Sequence, residues 1–275
     1  MTKERLIIII LFAYIHTIGD GNAQAKATGQ TIHEFSIYVL MGQSNMAGRG
    51  KLADPYLDKR NENVWMFTKE KQWIVAKHPL HFDKSVAGVG PGLAFGFCMA
   101  DSFPSIKTGL VPTAVGGTSI NMWQPGVFDS STKTHPYDDA IERMRAAMQF
   151  GTIEGVVWLQ GESDASAMTA EVYLAKLKSL VNNIRTATNN PQLPFVVGEL
   201  GEYKQAYQNF NEAVLKRVAS EIPNTMLVRS TNLTDGGDGI HFNSASAEIY
   251  GKRFAEAMIQ LKKLPGKIPE LKENK

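Results

Sequence analysis

The segment from Ser36 to Gly50, SIYVLMGQSNMAGRG, decides the fold. It opens on a short, mostly apolar run, the pattern of a strand buried on both faces of a parallel sheet. The run gives way to Gly42-Gln43-Ser44-Asn45, where the glycine permits a tight turn and the residues after it can open a helix. In open α/β sheets the ligand crevice lies beyond the carboxyl ends of the strands. A strand that ends at this turn therefore presents Ser44 to the crevice. Serine is also a common helix N-cap, which is the competing structural role. The turn lacks the Gly-x-Ser-x-Gly pattern of the α/β-hydrolase elbow.

Outward from this segment the same strand pattern recurs at Lys107–Ala114, Gly155–Leu159, Pro194–Gly198 and Thr225–Arg229. Helical patterns fall between, at Leu93–Asp101, Tyr137–Phe150, Ala170–Thr188, Tyr207–Ile222 and Ser244–Lys262. Within Tyr137–Phe150, the residues Ile141, Met144, Ala147 and Met148 form one apolar stripe with charges opposite. Strand and helix alternating along the whole length predict one three-layer α/β domain. Residues 49–92 are rich in loop formers, carry Trp65, Trp73, His78 and His81, and receive no regular element.

The ends read differently. Lys3 and Arg5 precede the apolar run Leu6–Ile15, turn formers follow, and Ala23-Gln24-Ala25 closes the segment. This is the order of a secretory signal peptide, too short in its apolar part for a spanning helix of about 20 residues. Residues 1–25 are expected to be cleaved, leaving a domain over 26–264 and a frayed, charged tail over 265–275. Cleavage leaves 27 basic against 25 acidic side chains, a near-neutral balance without the basic stripe that nucleic acid attracts. Cys98 is the single cysteine, so no intrachain disulfide or thiolate cluster forms, and its apolar surroundings make it a structural thiol.

Three other loops carry chemistry-bearing residues. A serine hydroxyl needs a base to become a nucleophile. In TDGGDGIHFN, Asp238 precedes His241 by three residues in a glycine-rich turn, so the carboxylate can fold back on the imidazole and orient it. Asp235 is the second choice for that role. In GVVWLQGESDA, Gln160 follows a strand end and can aim an amide N–H at an oxyanion, with Glu162 or Asp164 as turn caps. In TAVGGTSINMWQPG, Gly116 and Gly117 allow a backbone N–H to approach, and Trp123 either stacks on a sugar or fills the core. His78 and His81 form His-x-x-His without a third ligand at a suitable spacing, so no metal is assigned. All four loops meet on one edge of a parallel sheet, which argues for acyl transfer.

These blocks resemble the SGNH hydrolase superfamily, and more narrowly its sialate O-acetylesterase-like group, which includes carbohydrate esterase family six. The resemblance rests on GQSNMAGRG at 42–50, GVGPGLAFG at 88–96, VGGTSINMW at 115–123, WLQGESDA at 158–165 and DGIHFN at 238–243. It implies a flavodoxin-like α/β/α sandwich with a parallel sheet of about five strands. It implies Ser44 as nucleophile, His241 as base and Asp238 as its orienting carboxylate. The oxyanion hole would comprise Ser44, Gly117 and Gln160, with Gln43, Asn45, Gly116, Trp123 and Glu162 as supporting or substrate-binding residues. No cofactor or metal is implied. The expected activity is removal of O-acetyl groups from carbohydrate by a secreted enzyme, on acetylxylan, a related polysaccharide or sialic acid. A non-catalytic glycan-binding protein and an esterase for other esters are the rival readings.

Overall fold

The decisive run does lie at the centre of a sheet. The computed structural model describes residues 34–263, so the signal-peptide and tail expectations lie outside the described residues. Strand β1 (Phe35–Gly42) pairs in parallel with β4 (Lys107–Pro112) on one side and β5 (Gly151–Leu159) on the other. Beyond β5 follow β6 (Phe195–Gly198) and β7 (Thr225–Val228), again parallel. All five expected strands are present.

From Ile37 to Met41 strand β1 is apolar because both its faces are covered. Ile37, Val39 and Met41 enter one core with α3 (Pro136–Ala147), α4 (Ala170–Ala187) and α5 (Gln205–Ala213). Tyr38 and Leu40 enter the opposite core with α2 (Gly92–Ser102) and α7 (Ser244–Lys263). Alternate residues of one strand thus serve both layers, as the two-residue period requires. The three-layer α/β/α sandwich is confirmed.

Two differences from expectation stand out. The sheet has seven strands in the order β3-β2-β4-β1-β5-β6-β7. The extra pair, β2 (Val64–Phe67) and β3 (Trp73–Val75), comes from the region left unassigned. β2 runs parallel to β4, and β3 folds back antiparallel on β2. Aromatic packing holds this edge: Trp73 stacks on Phe35 at 4.4 Å between ring centroids. The expected helix Tyr207–Ile222 is also interrupted. It leaves helical geometry at Val214 (φ −118°), passes through a 3₁₀ turn at Leu215–Arg217, and resumes as α6 (Val218–Glu221). Val214 is β-branched and weakly suited to a helix, and the break buries it beside Leu215.

Candidate active site

The carboxyl ends of β1, β4 and β5 and the loop before α7 meet on one edge. β1 turns at Gly42, whose φ is +134° and whose missing Cβ would lie 2.0 Å from the Leu159 carbonyl oxygen. Only glycine fits there, and the turn delivers Ser44 to the first position of the short helix α1 (Ser44–Ala47). The N-cap of that helix is Gln43, with no side-chain capping bond. Ser44 is thus not a cap. Its Oγ lies 2.9 Å from His241 Nε2.

His241 Nδ1 lies 2.7 Å from Asp238 Oδ2. The other oxygen, Oδ1, accepts the backbone N–H groups of Ile240 and His241, each at 2.8 Å. Partial burial pushes the Asp238 carboxyl upward, but the bonds from the His241 backbone, the His241 ring and Ile240 N–H outweigh it and bring it down to about 2. An ionised Asp238 makes Nδ1 the donor, so Nε2 accepts the Ser44 hydroxyl. Asp235, the second choice, instead accepts the N–H groups of Gly237 and Gly239 and shapes the loop.

Asn45 fastens this loop to the serine turn. Its Oδ1 accepts Phe242 N–H at 3.0 Å, and its Nδ2 donates to the Ile240 carbonyl at 3.0 Å. It therefore grips the residues on both sides of His241. The same Nδ2 donates to Glu162 Oε1. The carboxyl of Glu162 is enclosed, Oε2 has no partner among the described residues, and burial pushes its pKa up against the bond from Asn45.

Gln160 does not present an amide to the crevice. It is fully buried, and its Nε2 faces three acceptors: Gln43 Oε1 at 3.1 Å, the Thr118 carbonyl at 3.0 Å and Asp164 Oδ2 at 2.5 Å. The amide has two hydrogens to give, and both are spent inside the protein. Its Oε1 accepts the Tyr173 hydroxyl at 2.9 Å. The strand-end position was read correctly, but the side chain turns into the domain because Asp164 and Tyr173 hold it there. Trp123 is likewise corrected as a substrate platform. It is fully buried, donates from Nε1 to Thr118 Oγ1 at 3.0 Å, and packs edge-on against Trp158.

The two glycines separate. Gly116 N–H donates to Asp83 Oδ2 at 2.9 Å, and Arg49 pairs with the same oxygen at 2.7 Å. Gly117 has φ +90°, and among the described residues its N–H has no acceptor within the protein, nor does that of Ser44. Sequence reasoning missed the Arg49–Asp83 pair, which is buried on both sides. Arg49 stands inside the GQSNMAGRG block, but nothing in the spacing pointed to Asp83. Asp164, treated there as a cap, accepts Ile120 N–H at 2.9 Å as well as Gln160. His78 and His81 are buried, and burial pushes each down to about 4.

A family described as carbohydrate esterase, sialic acid-specific acetylesterase, matches residues 34–260. The chain belongs to this family. This esterase is 30% identical over 243 residues to a probable carbohydrate esterase of Arabidopsis thaliana, covering 81% of its own length and 90% of the relative's. It matches the X-ray structure of that Arabidopsis protein with a TM-score of 0.72 at 28% identity, over 82% of this chain and 98% of the other. It shares its fold with the crystal structure of NanS, at TM-score 0.70 and 18% identity, over 84% and 98% of the two chains. A carbohydrate acetylesterase from Xanthomonas citri has the same fold at TM-score 0.63 and 17% identity, over 82% of this chain and 56% of that one. Among the esterase's described residues, no helix is long and apolar enough to cross a membrane.

Proposed function

We propose that this carbohydrate esterase is a serine hydrolase that removes O-acetyl groups from a sugar through an acetyl-serine intermediate. The observation that carries the reading is the unbroken relay from Ser44 Oγ through His241 to Asp238, with spans of 2.9 and 2.7 Å. Ser44 Oγ attacks the acetyl carbonyl while His241 Nε2 takes its proton, and the carbonyl electron pair moves onto the oxygen. The backbone N–H groups of Ser44 and Gly117 are the donors for that oxyanion. The oxyanion pair then re-forms the carbonyl as the bond from the acyl carbon to the sugar oxygen breaks, and His241 gives its proton to that oxygen, releasing the sugar hydroxyl. Water, deprotonated by His241, then releases acetate from the serine. Asp238 holds the ring in one tautomer and balances the imidazolium.

The family description and the named activities of the relatives support an acetylated carbohydrate as substrate. Acetylxylan, a related polysaccharide and O-acetylated sialic acid are the candidates. The charged, apolar, small-residue order of residues 1–25 supports export. The test is acetate release from acetylated xylan and from O-acetylated sialic acid by the wild type and Ser44→Ala. Release by the wild type alone is expected, with Ser44→Ala still folded. Undiminished release by Ser44→Ala would overturn the serine mechanism.

A further inference from the structure

Beside the catalytic site lies a second concavity, of about 470 Å³, that the ester chemistry does not use. This is within the size of small-molecule sites, about 300–1,000 Å³. Its walls include residues 112–115, which leave the carboxyl end of β4 on the sheet edge that carries Ser44. Asp83 joins the two places. Its side chain lines the concavity, while its Oδ2 accepts Gly116 N–H at 2.9 Å. A Cβ on Gly116 would stand 2.8 Å from that oxygen and 3.4 Å from Ser44 Cβ. Gly116 and Asp83 therefore span the interval between the nucleophile and the concavity.

Arg143 of α3 gives the concavity its chemistry. It is only 9% exposed. Its Nε donates to the Pro112 carbonyl at 3.2 Å, and its Nη2 to the Phe67 and Thr68 carbonyls at 2.7 and 2.9 Å. These bonds fasten the ends of β2 and β4 to the helix. Nη1 carries two more hydrogens and has no acceptor among the described residues. That atom is also absent from the fully enclosed unpaired groups, so it opens onto the concavity that Arg143 lines. A donor this deep calls for an acceptor.

The surroundings select the kind of acceptor. The lining sets Lys69 and Arg143 against Asp139 and Glu142, and Asp83 is already paired with Arg49. This balance favours a neutral ligand over an anion. Phe82 adds an apolar wall: the Arg143 guanidinium lies 4.7 Å from its ring centroid, yet the side chain stays 39% exposed. Thr132 and Thr134, whose hydroxyls share a bond of 2.8 Å, supply further polar groups. Donors, acceptors and an aromatic edge together suit a sugar ring, whose hydroxyls both give and accept and whose C–H face is apolar.

We propose that this concavity holds a neutral sugar residue next to the acetylated one, so that the substrate is a chain of sugars rather than a single sugar. This rests on the serine-esterase reading above and names the substrate class for it. One hydroxyl accepts from Arg143 Nη1, and the ring packs on Phe82.

The experiment compares wild type, Phe82→Ala, which removes the apolar wall, and Thr134→Trp, which fills the concavity. Hydrolysis is measured on single acetylated sugars and on acetylated oligosaccharides, in a xylose and a mannose series, with a small acetyl ester as reference. In at least one series, wild-type kcat/KM is expected to be about tenfold higher on the oligosaccharide than on the single sugar, the worth of about one net hydrogen bond. Either variant should lose that advantage relative to the small ester, through a raised KM with little change in kcat. A wild type that cleaves the small ester but gains nothing from chain length in either series overturns the proposal. So does an advantage that both variants keep in full. A wild type no more active than Ser44→Ala on every ester overturns the esterase reading and this inference together, whereas an active wild type indifferent to chain length overturns this inference alone.

Discussion

Asn45 does at the scale of one residue what a whole loop would otherwise have to do. It bonds to Ile240 and Phe242, the two neighbours of His241, from the position after Ser44. Removing it leaves the Phe242 N–H buried without its acceptor, at a cost of about 1–3 kcal/mol. It also frees the imidazole to drift, and a displacement near 1 Å can cost about 10²-fold in rate. Asn45→Ala is therefore expected to lower kcat about 10–100-fold with a lowered urea midpoint. Unchanged kcat would show that the His241 loop holds itself. Asp238→Asn is expected to cost more, about 10⁴-fold in kcat, because an amide can leave the imidazole in the wrong tautomer. The same residues mark what the sequence made legible. That the side chains of Ser44, Asp238 and His241 would meet was legible because turn chemistry and a three-residue offset determine their reach. Gln160 was misread because its direction depends on Tyr173 and Asp164, whose side chains enter from α4 and from the following turn.

At the scale of elements, the central strands were legible because each holds a short apolar run, such as residues 37–41 in β1 and 156–159 in β5. β2 and β3 were not, since four and three residues are too few to show a period, and their packing is aromatic contact with Phe35 and Gly109 across the sheet. Helix α7 carries a tighter constraint that no periodicity announces. Gly251 lies against α2, where an added Cβ would stand 2.1 Å from the Pro91 carbonyl oxygen and 2.9 Å from Phe95 N. Alanine in a helix gains about 1 kcal/mol over glycine in propensity. Overpacking against a backbone that cannot yield costs about 1–3 kcal/mol or more. The clash should win. Gly251→Ala is expected to lower the urea midpoint, with correctly folded molecules still releasing acetate. A raised midpoint would mean the two helices can part without penalty.

Across the whole molecule, stability against pH is contested by buried groups of opposite sign. Burial raises Glu162, Asp164 and Glu199, so these carboxyls favour the folded state as pH falls toward the ordinary carboxylate range. Asp238, held down from 3.8 to about 2, adds stability that is full above its unfolded value, drains as pH falls below it and is gone below about 2. His78 and His81 act at higher pH. Each is pushed from 6.5 to about 4, mainly by burial, so the unfolded chain takes up protons that the folded one refuses. Stability from each is therefore full above pH 6.5 and drains as pH falls toward 4, by about 3 kcal/mol each. His78 isolates the effect, because both its ring nitrogens are enclosed without a partner. An apolar side chain removes two unsatisfied groups and a proton acceptor at once. His78→Leu is expected to match or exceed wild type in urea stability at pH 7 and to lose distinctly less between pH 6.5 and 4. Parallel curves for the two proteins over that window would show that His78 takes up its proton as readily in the folded chain as in the unfolded one.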